Sequence, residues 1–339
     1  EKRSGENMFK IKDLIKESKR LQKTIVFPEV SFSDRTLEAV KYLQKKKICK
    51  VLLVGDASAL ILRDKDLEKF EIVSPITFPD RKKLVKTLYE KRKDKGMTLE
   101  EAEELEKDPY YFATLLVECG YADGMVAGAE ASTATTVRPA LQIIKSKNKK
   151  PVSSCFLVYG NNKFLNGKAL ILSDCGVIEK PDSDTLCAIA EASVKSAKQF
   201  KIGTPKVAFL SYSTKGSAKS DDVTKVREAY EKFHKKNKDV LCDGELQFDA
   251  AIVPSVSEHK APESEIKGDA NILIFPDINA GNICYKTTQY IGGLNAIGPI
   301  LQNLKKPVND LSRGCNVNDI VILSVITSLQ CEDEKKKGE

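Results

Sequence analysis

Ala122-Asp123-Gly124-Met125-Val126-Ala127-Gly128-Ala129-Glu130-Ala131-Ser132-Thr133-Ala134-Thr135-Thr136-Val137-Arg138-Pro139-Ala140-Leu141 holds the pattern on which the fold turns. Met125-Val126-Ala127 is a short apolar run of the kind a buried strand makes, Gly128 to Thr135 is a polar loop, and Thr136 to Lys145 reads as a helix. The same order of strand, polar loop and helix recurs around Ser213 to Ser220, after the strand Val207 to Tyr212. It recurs again around Pro276 to Asn282, after the strand Ile272 to Phe275, and leads into the helix Ile283 to Ile291. Outward from these, strands are expected at Thr24 to Phe27, Val51 to Val54, Ser154 to Val158 and Ala169 to Leu172. Helices are expected at Ser33 to Leu43, Arg81 to Lys93, Leu99 to Leu105, Tyr111 to Cys119, Ser183 to Phe200, Val223 to Lys235 and Val317 to Leu329. Alternation of this kind argues for an α/β chain with parallel sheets covered by helices on both faces. The polar break Ser146 to Pro151 separates two such units.

Composition narrows the function. The chain has 339 residues, 41% hydrophobic and 30% charged, which fits a globular protein of two domains. No run of eighteen apolar residues occurs, so no membrane span is expected. Residues 1–7 are polar and carry no apolar signal region, which reads as a cytoplasmic protein, with Met8 a natural start. The tail Glu332 to Glu339 reads as a frayed, charged end. The net charge of +7 is spread over lysine-rich runs without interleaved aromatics. These runs read as solvated helix faces rather than a nucleic-acid surface, although a basic balance suits small polyanionic substrates. Nine cysteines stand at long spacings with no Cys-x-x-Cys pair, and read as reduced thiols rather than a metal site. Only His234 and His259 are present, the first on a helix surface and the second in a loop. Without a residue to orient them, a Ser-His-Asp hydrolase is disfavoured. The absence of G-x-x-x-x-G-K-[ST] and G-x-G-x-x-G disfavours P-loop and dinucleotide enzymes.

The chemistry concentrates in Lys306-Pro307-Val308-Asn309-Asp310-Leu311-Ser312-Arg313-Gly314-Cys315, directly before an apolar helical run. Arg313 is permanently cationic and presents a planar fork to phosphate or carboxylate. Gly314 admits close backbone approach, and the amides opening the next helix favour an anion. Ser132, Thr133 and Arg138 add hydroxyls and a cation in one loop–helix unit; Lys215, Gly216 and Ser217 add charge, backbone access and a hydroxyl in another. Each loop taken singly reads first as an ordinary turn with a helix cap; four anion-suited loops in one chain read together as a phosphate-handling cleft. Cys315 reads first as a small buried filler beside Arg313, and second as a catalytic thiol. Asp319 lies three residues after Asn316, so it reads as half of a capping box. Arg63 carries no functional signal.

These residues resemble those of the phosphate acetyltransferases. The Lys306–Cys315 stretch is similar to the family's C-terminal signature, and Ala122 to Leu141 to a second block. Leu210 to Ala218, Asp243 to Gln247, Phe275-Pro276-Asp277 with Gly281-Asn282, and Ala296 to Leu301 extend the resemblance. It implies two three-layer α/β/α domains with mainly parallel sheets and an active-site cleft between them. Residues 1–150 plus 296–339 would form the first domain and 151–295 an inserted second. It implies reversible transfer of acetyl between acetyl phosphate and coenzyme A, giving acetyl-CoA and inorganic phosphate through a ternary complex. Asp319 would be the base, Arg313, Ser312 and Arg138 the groups that stabilise developing charge, and Ser132 and Thr133 substrate-binding neighbours. Arg92, in Lys91 to Thr98, matches a block whose arginine contacts substrate. Ser213, Lys215, Gly216, Ser217, Asn282, Lys286 and Cys315 would line the substrates. Tyr290 stands where relatives commonly carry arginine, which removes one contact to the coenzyme's phosphates, and Ala131 stands where histidine is frequent. No metal or cofactor is implied, coenzyme A being a substrate, and a homodimer is expected. The alternatives are a phosphate butyryltransferase and a non-catalytic acyl-CoA-binding regulatory domain.

Overall fold

The computed structural model describes residues 8–162 and 164–331; the polar start at 1–7 and the charged tail at 332–339 lie outside them. In chain order the elements are α1 (Ile11–Leu21), β1 (Thr24–Phe27), α2 (Asp34–Lys45), β2 (Lys50–Val54), α3 (Ala57–Arg63), β3 (Glu71–Val73), α4 (Arg81–Arg92), α5 (Leu99–Leu105), α6 (Pro109–Cys119), β4 (Gly124–Ala127) and α7 (Thr133–Ile143). They continue with β5 (Ser153–Tyr159), β6 (Ala169–Ser173), α8 (Ser183–Gln199), β7 (Lys206–Leu210), α9 (Asp221–Lys236), β8 (Leu241–Leu246), α10 (Phe248–Ile252), α11 (Pro254–Lys260), β9 (Ile272–Ile274), α12 (Ile278–Tyr290), β10 (Asn295–Gln302), β11 (Val308–Asp310) and α13 (Val317–Gln330).

The chain forms two compact units. The terminal unit comprises residues 11–148 and 304–331, and the middle unit residues 8–10 and 149–303. The return to the terminal unit therefore falls after residue 303 rather than before 296. The reason is β10, which pairs antiparallel with β5 in register Ala296↔Val158 and Leu301↔Ser154, and so belongs to the middle unit's sheet. Residues 8–10 also join the middle unit: Phe9 donates its amide to the Gly167 carbonyl at 2.8 Å, and its ring lies 5.4 Å from that of Tyr159.

The terminal unit is a parallel five-stranded sheet in the order β11-β4-β1-β2-β3. Its inner strands are continuous apolar runs, Ile25-Val26-Phe27 and Val51 to Val54, because both faces are covered. α13 is buried all round from Asp319 to Leu329, mainly apolar with the hydroxyls of Ser324, Thr327 and Ser328 bonded back to helix carbonyls, and packs on α1, α2 and β4. α6 is buried from Tyr110 to Val117 and packs against β1, β4, α4 and α7. The winding runs from β1 to β2 and β3 on one side, and from β4 to β11 on the other. The reversal lies between β1 and β4, and crevices for ligands open at the carboxyl ends of strands at such a point.

The middle unit's sheet is mixed, in the order β10-β5-β6-β9-β7-β8. The pairs from β6 to β8 are parallel, and the β10–β5 and β5–β6 pairs antiparallel. α8 and α9 pack on strands of this sheet and on each other; α10 and α12 also pack on the sheet. Its apolar core runs through Phe156, Leu172, Leu246, Leu273, Phe275 and Tyr285. His259, expected in a loop, lies in α11. No helix among the described residues is long and apolar enough to cross a membrane.

Candidate active site

The carboxyl ends of β1, β4 and β11 meet in one place in the terminal unit. β11 runs parallel to β4 with Asp310 opposite Ala127, and Leu311 donates its amide to the Ala127 carbonyl at 2.7 Å. That register brings the Gly128–Ser132 loop beside the turn Leu311 to Asn316. From the turn after β1, the buried carboxylate of Glu29 accepts from the amides of Ala129 (2.8 Å), Glu130 (3.3 Å) and Ala131 (3.2 Å), and from the Tyr110 hydroxyl (2.9 Å). Loop amides suited to an anion are thus already filled by the protein's own carboxylate.

Ser132 is the N-cap of α7: its Oγ accepts from the Thr135 amide at 3.3 Å and lies 2.9 Å from Thr135 Oγ1. Thr133 is exposed at the first turn. Beneath it Asp310 is completely buried, and neither of its carboxylate oxygens has an aligned hydrogen-bond partner. The Thr133 and Thr136 hydroxyls lie close enough to favour its charged form, but burial outweighs them and pushes its carboxyl up to about 7. Further along α7, exposed Arg138 shares with Arg92, at the end of α4, the electrostatic environment of the Tyr111 hydroxyl. The Nε of Arg92 is buried without a hydrogen-bond partner. Among the described residues no carboxylate pairs with Arg92, Arg138 or Arg313, so all three guanidinium charges remain available to an incoming anion.

The turn after β11 is tight. Cys315 donates its amide to the Ser312 carbonyl at 2.8 Å, and the Gly314 amide lies 3.4 Å from Ser312 Oγ, leaving Arg313 exposed at the apex. Asn316 then caps α13: Asp319 donates its amide to Asn316 Oδ1 at 3.0 Å, while Asp319 Oδ2 accepts from the Asn316 amide at 2.9 Å. Burial raises the Asp319 carboxyl above the usual range, opposed by that bond from Asn316. Burial likewise pushes the Cys315 thiol up to about 12, so it is a neutral filler at pH 7.

The middle unit treats its loop differently from the expectation. Glu245 accepts from Ser213 Oγ at 2.9 Å, the Gly216 amide at 2.7 Å and Arg227 Nε at 3.1 Å. Lys215 is ion-paired with buried Asp243, and Ser217 Oγ accepts from the Thr214 amide at 3.0 Å. Ser213, Lys215, Gly216 and Ser217 are therefore committed to internal partners; the strand β8 that supplies both carboxylates was absent from the expected elements. Asn282 donates to the Cys175 carbonyl at 3.2 Å. On α12, Lys286 is exposed with its Nζ 5.1 Å from the Tyr285 ring, and Tyr290 is 70% exposed, so both remain available.

Sequence reasoning missed Glu29, Arg35 and the burial of Asp310. Arg35 did leave a trace, since a cation in the first turn of a helix opposes the helix dipole. Among the described residues no group of three or more His, Cys, Asp or Glu side chains could hold a metal ion.

A model of the family described as phosphate acetyl/butaryl transferase matches residues 9–328. A phosphate acetyltransferase of Acetivibrio thermocellus is 45% identical over 326 residues, covering 95% of this chain and 98% of the relative. A phosphotransacetylase structure from Streptococcus pyogenes superposes with a TM-score of 0.87 at 41% identity, covering 95% of this chain and 99% of that one. One from Staphylococcus aureus gives 0.84 at 42% identity, with the same coverage.

Proposed function

The chain belongs to the phosphate acetyl/butaryl transferase family, and from that premise we propose how its residues carry out phosphate acetyl transfer, the reversible movement of acetyl between acetyl phosphate and coenzyme A. The observation that supports this course best is the turn after β11, which gathers Ser312, exposed Arg313 and the capping-box carboxylate Asp319 at the carboxyl end of a parallel strand.

A thiol of pKa ~8.5 is mostly protonated at neutral pH. Asp319, its basicity raised by burial, takes the coenzyme's thiol proton, and the thiolate attacks the acetyl carbonyl carbon. The carbon–oxygen bond to phosphate breaks, acetyl-CoA forms, and the proton leaves with inorganic phosphate. Negative charge that builds on the carbonyl oxygen and the leaving phosphate is met by Ser312, Arg313 and Arg138, with Arg92 at the phosphate. Thr133 and Ser132 frame the same anion from the start of α7. The exposed Lys286 and the exposed ring of Tyr290 offer a platform for coenzyme A, whose phosphates meet one cation fewer than an arginine at 290 would provide. Coenzyme A enters as a substrate, and the chemistry calls for no resident cofactor. The protein acts in the cytoplasm as a homodimer; sedimentation of the purified chain as a monomer would refute the assembly.

The direct test is coenzyme A-dependent loss of acetyl phosphate, with butyryl phosphate run beside it. Fast acetyl and slow butyryl transfer are expected; a preference for butyryl would move the substrate while keeping the mechanism, because a methylene is worth only ~1–3 kcal/mol. Arg313→Gln is expected to cost about 3 kcal/mol of transition-state stabilisation with an unchanged melting temperature. Near-normal turnover in that variant would sink the assignment.

A further inference from the structure

Arg35 makes the densest set of side-chain contacts around the reactive turn, and no step of the transfer uses it. Its Nη1 donates to the Arg313 carbonyl at 2.8 Å and the Cys315 carbonyl at 2.7 Å, and lies 3.7 Å from Cys315 Sγ. Its Nη2 donates to the Ala129 carbonyl at 2.5 Å and Glu130 Oε1 at 3.0 Å. One planar fork therefore ties the turn that displays Arg313 to the loop that precedes Ser132 and Thr133. Glu130 is itself held by the Ser33 hydroxyl at 2.9 Å, and Glu29 anchors the amides of Ala129 to Ala131 from below.

The placement is costly on local grounds. Arg35 is the second residue of α2, where the positive end of the helix dipole disfavours a cation. Its charge is answered by Glu130 and its terminal donors by backbone carbonyls, so little is left for a substrate phosphate. Arg92, Arg138 and Arg313, which have no carboxylate partner among the described residues, are the opposite case.

We infer that Arg35 is the positioning residue of the site, setting the separation between the Arg313 turn and the Ser132–Thr133 loop without touching either substrate. The inference rests on the acetyl transfer proposed above. Lysine cannot substitute, because a single ammonium cannot span both loops as the fork does.

The test is steady-state kinetics on the full chain. Arg35→Ala is expected to lower kcat for acetyl transfer roughly a hundredfold, the scale of a small misplacement of reacting groups, while KM for coenzyme A changes little. Guanidinium ion added to the folded Ala variant is expected to restore part of kcat, which a generally loosened protein would not show. Wild-type kcat in Arg35→Ala, or a loss in the folded variant that guanidinium leaves untouched, overturns the inference. Should the Ala variant fail to fold, Arg35→Lys decides: a folded protein with lowered kcat supports the inference, and wild-type kcat overturns it. Absence of acetyl transfer in the unsubstituted chain would overturn both the reaction and the inference; an active chain with an unimpaired Arg35→Ala overturns the inference alone.

Discussion

Asp310 keeps its proton to an unusually high pH, and that has a measurable consequence. Its carboxyl rises from 3.8 to about 7 through burial, with the charge of Glu29 adding to the effect. Between those values the folded chain holds a proton that the unfolded chain has released. The fold therefore loses stability as pH climbs from about 4 to about 7, and above that carries the full cost of a buried charge. Asp310→Asn imitates the protonated acid at every pH. The melting temperature of the variant relative to the parent is expected to rise between pH 5 and pH 8, by the equivalent of about 2–4 kcal/mol. A gap that stays flat over that range would show that Asp310 titrates normally. At the same scale, Cys315→Ala should keep most of the turnover, since a thiol pushed up to about 12 is no nucleophile at neutral pH; abolished turnover would revive an acyl-enzyme.

Among the elements, β4 and β11 do the most to assemble the site, and Gly128 is what lets their ends lie together. Gly128 has φ +104, and a Cβ there would meet the Asp310 carboxylate and lie 2.6 Å from the Leu311 amide nitrogen and 2.9 Å from the Leu311 carbonyl oxygen. Gly128→Ala is expected to push the loop and the turn apart and lower kcat by about tenfold or more, the penalty of misplaced catalytic groups; wild-type kcat would mean the two ends can shift freely. β4 was legible in the sequence because Met125-Val126-Ala127 is apolar. β11 was not, because Val308-Asn309-Asp310 is polar yet wholly buried. Asn309 is satisfied there by the Thr327 hydroxyl at 2.8 Å and Gln330 at 2.6 Å, partners on α13 that hydropathy cannot foresee. The capping pair Asn316 and Asp319 could be read directly, since its two members stand three residues apart. The internal pairing of Lys215 and Gly216 could not: their carboxylates lie 28 and 29 residues further along.

On the scale of the molecule, the middle unit is one uninterrupted stretch apart from residues 8–10, and the apolar cluster built around Phe156, Leu246 and Phe275 lies within that stretch. Residues 149–303 expressed alone are expected to melt in a single cooperative transition with α/β circular dichroism; a featureless spectrum would show that the unit depends on the rest of the chain. The terminal unit cannot be cut out in this way, because its edge strand β11 and its buried helix α13 come after the insertion. That order governs how the protein emerges from the ribosome, where domains complete themselves as their last residues appear. The middle unit has all of its strands by residue 302, while the sheet beginning at residue 24 still waits for residues 308–310. Nascent chains would thus carry uncovered apolar surface on α1, α2 and β4, where α13 later packs, throughout translation of the insertion. A message broken near its 3′ end would leave a well-formed middle unit joined to an open sheet, and no turn bearing Ser312, Arg313 and Asp319.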